Sequence, residues 1–173
     1  MVSRLKVDEI LTSGGDNLFA GNVINTYAFY YTGSTSFTGG PVGILSGVIT
    51  PTKAGNHFLI RANIYASHTP NNSLYFQLNI DGDRSLTGRS GASYPSFTGS
   101  IYMEGYGSSH SANAQIDEYH GEYMYTHNST SPFTALIEGR SQGGTAYMNK
   151  SYSYDDTSRG QPRSSLIIQE IAT

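Results

Sequence analysis

An all-β fold is what this sequence predicts. Apolar residues recur at every second position in short runs. Clusters of Gly, Ser, Asn and Pro separate those runs at close intervals, the rhythm of a sandwich or barrel. No stretch sustains a helical period between caps.

The elements follow in order. Residues 23–31 (NVINTYAFY with its flanks) and 44–50 (ILSGVIT) are the first two strands. A Pro-Thr-Lys-Ala-Gly-Asn turn then leads into 57–66. There Phe58, Ile60, Ala62, Ile64 and Ala66 share the core face, and Leu59, Arg61, Asn63 and Tyr65 share the other. In 74–80, Leu74, Phe76, Leu78 and Ile80 point inward, and Tyr75, Gln77 and Asn79 are expected on a wet face. Asp81-Gly82 is a tight-turn signal. Further strands are expected at 100–106, 115–125, 133–139, 145–151 and 165–171, with a hairpin at Gly139–Gly143 joining two of them. The core should hold Phe58, Ile60, Ile64, Phe76, Leu78 and Ile80.

Composition narrows the class. The chain has 173 residues, enough for one domain that buries most of its apolar surface. Only 13% of residues are charged, while Gly (20) and Tyr (14) are abundant, which favours strands and hydrogen-bonding loops. A net charge of −3 gives no basic footprint for nucleic acid. Without cysteine there is no disulfide, thiolate nucleophile or thiolate metal site. No apolar run approaches the ~20 residues that span a bilayer, and the start has no signal-peptide core. The chain is therefore expected to be made in a cytoplasm, and its three Asn-x-Ser/Thr sequons (Asn71, Asn128, Asn149) carry little weight. Residues 1–20 read as a separate leader and 21–173 as the folded domain, with Ser/Gly-rich surface loops at 86–99 and 107–114.

Two stretches resemble a known group. "GVITPTKAGNHFLIRANIYAS" resembles the Thr-Pro-Thr strand pair of small tailed-phage appendage proteins, the marine and cyanophage-like ones among them. "GGTAYMNKSYSYDDTSRGQPRSSLIIQEI" resembles their closing segment: a Gly-Gly step, a strand ending in Asn-x-Ser, a loop with Asp and Arg, and a last strand ending in Glu-Ile. The leader "LKVDEI" is similar to N-terminal segments of virion proteins. These pieces span 44–66 and 117–171. The resemblance implies an antiparallel jelly-roll β-sandwich head of the C1q/tumour-necrosis-factor type, usually a homotrimer, on a virus particle assembled in the host cytoplasm. Its other virion partners would be capsid or tail proteins. Leu5, Lys6, Val7, Asp8 and Ile10 would anchor the head to the particle.

Catalytic patterns fare less well. "GRSQG" (139–143) matches Gly-x-Ser-x-Gly, but a strand follows it where a nucleophile elbow needs a helix, so Ser141 reads as a hairpin residue. "HGE" (120–122) lacks the cysteine pair of a zinc deaminase, and His120 reads as a wet-face residue beside Glu122. Asp81 with Asp83, or Asp155 with Asp156, could offer oxygens to calcium, yet neither pair has the rest of an EF-hand loop. No catalytic residue, cofactor or metal site is expected. A polysaccharide-cleaving site would need facing carboxylates, and Asp117, Glu118 and Glu122 sit in one strand.

Tyrosine suits both subunit interfaces and sugar stacking. Tyr94, Tyr102 and Tyr106 are the candidates for contact with a host-surface glycan. Two readings stand: a virion structural protein, and a non-catalytic carbohydrate-binding module.

Overall fold

The computed structural model describes residues 21–69, 72–84, 103–107, 116–151 and 162–173. The expected anchoring residues Leu5, Lys6, Val7, Asp8 and Ile10 lie outside the described residues, as do Tyr94, Tyr102, Asp155 and Asp156.

Eight strands follow one another: β1 (Val23–Tyr31), β2 (Thr35–Ile49), β3 (His57–His68), β4 (Asn72–Ile80), β5 (Met103–Gly107), β6 (Asp117–Thr126), β7 (Phe133–Met148) and β8 (Ser164–Ile171). Every ladder between them is antiparallel. They form one curled sheet with two four-stranded wings, β1-β8-β3-β6 and β2-β7-β4-β5. The wings join where Ala66–His68 of β3 pairs with Ala146–Met148 of β7.

Their apolar faces pack on each other. Phe58 of β3 meets Phe133 of β7 edge-to-face, with ring centroids 5.0 Å apart, and Phe76 of β4 meets Tyr119 of β6 at the same separation. All six expected core residues are buried. Gly47 has a packing reason: a Cβ there would sit 2.1 Å from the Phe29 ring, which fills that space. The Asp81-Gly82 turn forms as expected, with φ of 50° and 90° and paired hydrogen bonds between Ile80 and Asp83.

Two expectations need correction. Residues 133–139 and 145–151 are not two strands around a hairpin; they lie in and just beyond one 16-residue strand. Gly143, at φ 103°, lets the strand bulge and bend there instead of reversing. The bend is required because β7 runs beside β4 through residue 142 and beside β3 from residue 146. Ser141 is thus a buried mid-strand residue whose hydroxyl donates to the Gly144 carbonyl at 2.6 Å. Likewise Tyr75, Gln77 and Asn79 are buried, so β4 is covered on both faces.

The corner between wings is closed by Asn149, which follows β7 and adopts φ 53°. Its Nδ2 donates to the Tyr31 carbonyl (2.7 Å) and the Gly33 carbonyl (3.0 Å). Its Oδ1 accepts from the Ser164 hydroxyl at 2.6 Å, and its backbone N–H donates to the Tyr65 carbonyl at 2.8 Å. Ser164 in turn accepts from the Tyr65 N–H at 3.0 Å.

Two outcomes follow for stability. Asn149→Ala takes the partner from the buried Ser164 hydroxyl and from the partly buried Tyr31 carbonyl, and puts a Cβ residue with no compensating side chain at positive φ; it should cost about 3 kcal/mol in urea unfolding. Ile64→Asp and Phe76→Asp each bury an unpaired carboxylate and should prevent folding. Soluble expression with wild-type melting curves in both would contradict the core assignment.

Candidate functional site

Strand alternation puts one set of side chains of β1-β8-β3-β6 against the other wing and the opposite set outside. Ladder register aligns the outer set in rows. Tyr30, Ser165, Asn63 and His120 form one row; Ala28, Ile167, Arg61 and Glu122 the next; Thr26, Gln169, Leu59 and Met124 the third.

The rows mix cross-strand polar pairs with exposed apolar groups. Arg61 Nε donates to Glu122 Oε2 at 3.2 Å, and Nη1 donates to Gln169 Oε1 at 3.4 Å. Both charged side chains are about half exposed, so the pair adds little stability and serves mainly to fix the positions of its members. His120 Nδ1 donates to Asn63 Oδ1, and His57 shares a 2.8 Å hydrogen bond with Thr126. Among them Met124 is 48% exposed and Tyr30 54%. Arg61 and Asn63, the polar residues of the first long motif, therefore belong to an outward face, as does His120 beside Glu122.

The other wing is different outside. Glu138 on β7 is buried and accepts from Arg84 through two bonds, Nε to Oε2 and Nη2 to Oε1, each 2.7 Å. Gln77 Nε2 donates to Glu138 Oε2 at 2.7 Å. The buried polar residues of β4 find separate partners: Gln77 donates to Glu138, Tyr75 donates to Gln142 at 3.3 Å and Asn79 Oδ1 accepts from the Gly82 N–H at 2.7 Å, while Gln77 Oε1 is left without one. The Arg84 bonds hold the Glu138 carboxyl below its ordinary value against burial, with Gln77 and Asn79 assisting.

A second buried carboxylate, Glu170 of β8, fixes the turn before β3. Its Oε1 accepts from the Thr52 N–H (2.7 Å), the Thr52 hydroxyl (2.7 Å) and Asn56 Nδ2 (2.8 Å). Tyr27 donates to the Thr50 carbonyl at 2.7 Å, and burial followed by the charge of Glu170 raises its phenol.

Other candidates are accounted for separately. Asp81 accepts from the Thr134 N–H at 2.8 Å, a turn role. Among the described residues no group of three or more His, Asp or Glu could hold a metal ion. Tyr106 lies on β5 opposite Ser73 of β4, and only its backbone position is described. Burial pushes the Tyr119 phenol well above the tyrosine range, with Asp117 adding to the shift. Sequence reasoning missed Met124, Ile167 and Gln169 as members of one face, although the alternation of β6 and β8 contained that signal. It also missed Arg84–Glu138, which no local pattern reveals.

No protein-family model matches the chain, and no curated protein matches it either.

Glu138 makes an acid-side prediction. A carboxyl whose folded pKa lies below its unfolded value, about 4.3, stabilises the fold above that value. The contribution fades as pH falls through the folded pKa. Glu138→Gln should cost about 1–3 kcal/mol at pH 7, and the melting-temperature gap to wild type should narrow steadily below pH 4.5. A gap that stays constant from pH 7 to pH 2.5 would remove the Arg84–Glu138 bond as its cause.

Proposed function

We propose that this chain is a structural protein of a bacteriophage particle: a homotrimeric jelly-roll head that attaches to capsid or tail proteins through residues 1–16. The role is architectural and non-catalytic, with host-surface contact as a secondary task of the exposed loops.

One observation carries the proposal. The outer face of β1-β8-β3-β6 combines exposed Met124, Tyr30 and Val23 with prearranged polar pairs, the composition of an association surface. The opposite signs of Arg61 and Glu122 suit contact between copies of the same face. Strand order supports the jelly-roll part, since eight antiparallel strands in wings β1-β8-β3-β6 and β2-β7-β4-β5 are the arrangement such a head needs. The motifs that carry the phage resemblance also meet in space. Thr52 of Thr-Pro-Thr binds Glu170 of the terminal Glu-Ile, and Asn149 of Asn-x-Ser ties β1, β3 and β8 together.

Attachment by a leader gains from threefold repetition, because weak single contacts become durable through effective concentration. Deleting residues 1–16 should leave a soluble particle of three chain masses by light scattering that no longer enters phage particles. Met124→Lys should yield monomers that still fold. A monomeric deletion product, a deletion product incorporated at normal copy number, or an unchanged trimer for Met124→Lys would overturn the division between face and leader.

A further inference from the structure

Among the described residues two carboxylates are buried, and their oxygens are served unequally. Both oxygens of Glu138 accept bonds, from Arg84 and Gln77. Glu170 is 0% exposed, yet the Thr52 N–H, the Thr52 hydroxyl and Asn56 Nδ2 all converge on its Oε1. Glu170 Oε2 has no hydrogen-bond partner. Asn56 is 1% exposed, and its Oδ1 has no partner either.

These two oxygens belong to side chains already joined by the 2.8 Å bond from Asn56 Nδ2 to Glu170 Oε1, so they lie close together. Both are acceptors, and neither can satisfy the other. An unpaired acceptor in the interior is costly, the more so when it is anionic. The backbone beside them is irregular as well. β1 pairs Val23 with Ile171 and Asn25 with Glu170, so Ile24 is an extra residue that loosens the ladder next to this carboxylate. The neighbouring oxygens are engaged already. Thr52 Oγ1 accepts from Asn56 Nδ2 at 3.2 Å, and the Thr50 carbonyl accepts from the Tyr27 hydroxyl at 2.7 Å. What the joint lacks is two protons.

We infer that a single water molecule is built into this joint, donating one proton to Glu170 Oε2 and the other to Asn56 Oδ1. The donor count selects it. Water carries two protons for two unfilled acceptors, and it is the molecule that buried polar groups of this kind recruit. A hard cation is the competing occupant for a pair of oxygens, but calcium asks for about six to eight oxygen ligands. Here the next two oxygens hold protons from Asn56 and Tyr27, and Glu170 and Asn56 are closed to solvent that might complete a coordination shell. The water makes the second link between β8 and the turn before β3, beside the direct bonds to Oε1.

A high-resolution crystal structure of the full chain tests this directly. A water should lie about 2.7–3.0 Å from both oxygens. A salt series separates it from a metal ion, because a cation held only by the folded state raises the melting temperature with its concentration. At equal ionic strength, sodium, potassium and calcium chloride should give the same melting temperature as choline chloride. Asn56→Asp adds a second carboxylate, which would strengthen a cation site but here buries another charge. It should melt below wild type, or fail to fold, in every one of these salts. Two oxygens that meet no water in the crystal, a wild-type stabilisation specific to one metal ion, or recovery of Asn56→Asp in calcium chloride would each overturn the assignment.

Discussion

Everything in this fold depends on closing the corner where β7 leaves one wing and the chain proceeds to β8 in the other. The joint rests on a ladder only three residues long, Ala66–His68 against Ala146–Met148. Beyond Met148 the pairing along β3 passes from β7 to β8, which runs in the same direction, and unpaired amides in that buried gap would be costly. Asn149 resolves this because asparagine tolerates positive φ better than other residues with a Cβ, and its amide both donates and accepts. With its bonds to Tyr31, Gly33, Tyr65 and Ser164, one side chain fixes the turn after β1, the start of β8 and the flank of β3. Its amide nitrogen is fully engaged in the interior, so the Asn-Lys-Ser sequence there is a structural device and not a glycosylation acceptor.

Charge is used in a similar way. The chain has few ionisable groups, and two of its carboxylates, Glu138 and Glu170, are buried. Burying a carboxylate is unfavourable unless several donors replace water. Glu138 receives the guanidinium fork of Arg84 and the Gln77 amide, and Glu170 receives Thr52 twice and Asn56. Each clamp holds a segment lying outside the regular ladders: residue 84 after the β4 turn, and residues 52–56 before β3. The loops are therefore positioned by directional bonds rather than by apolar packing.

Strand content was legible because alternation is a local signal. β1, β3, β6 and β8 lie within about two residues of where periodicity placed them, and the Asp81-Gly82 turn follows from its dipeptide. What escaped depended on partners far away in sequence. Gly143-Gly144 signals a turn when read alone, yet it becomes a bulge because β4 and β3 hold the two halves of β7 in line. Tyr75, Gln77 and Asn79 read as solvent-facing because a polar residue on an alternating strand usually is. Their burial depends on β7, where Glu138 meets Gln77 and Asn79 and Gln142 accepts from Tyr75, more than fifty residues beyond β4 in the chain. The outer face was half legible: Arg61, Asn63 and His120 were placed on it, while alternation could put Met124, Ile167 and Gln169 on an outer side and register then set them in the same rows.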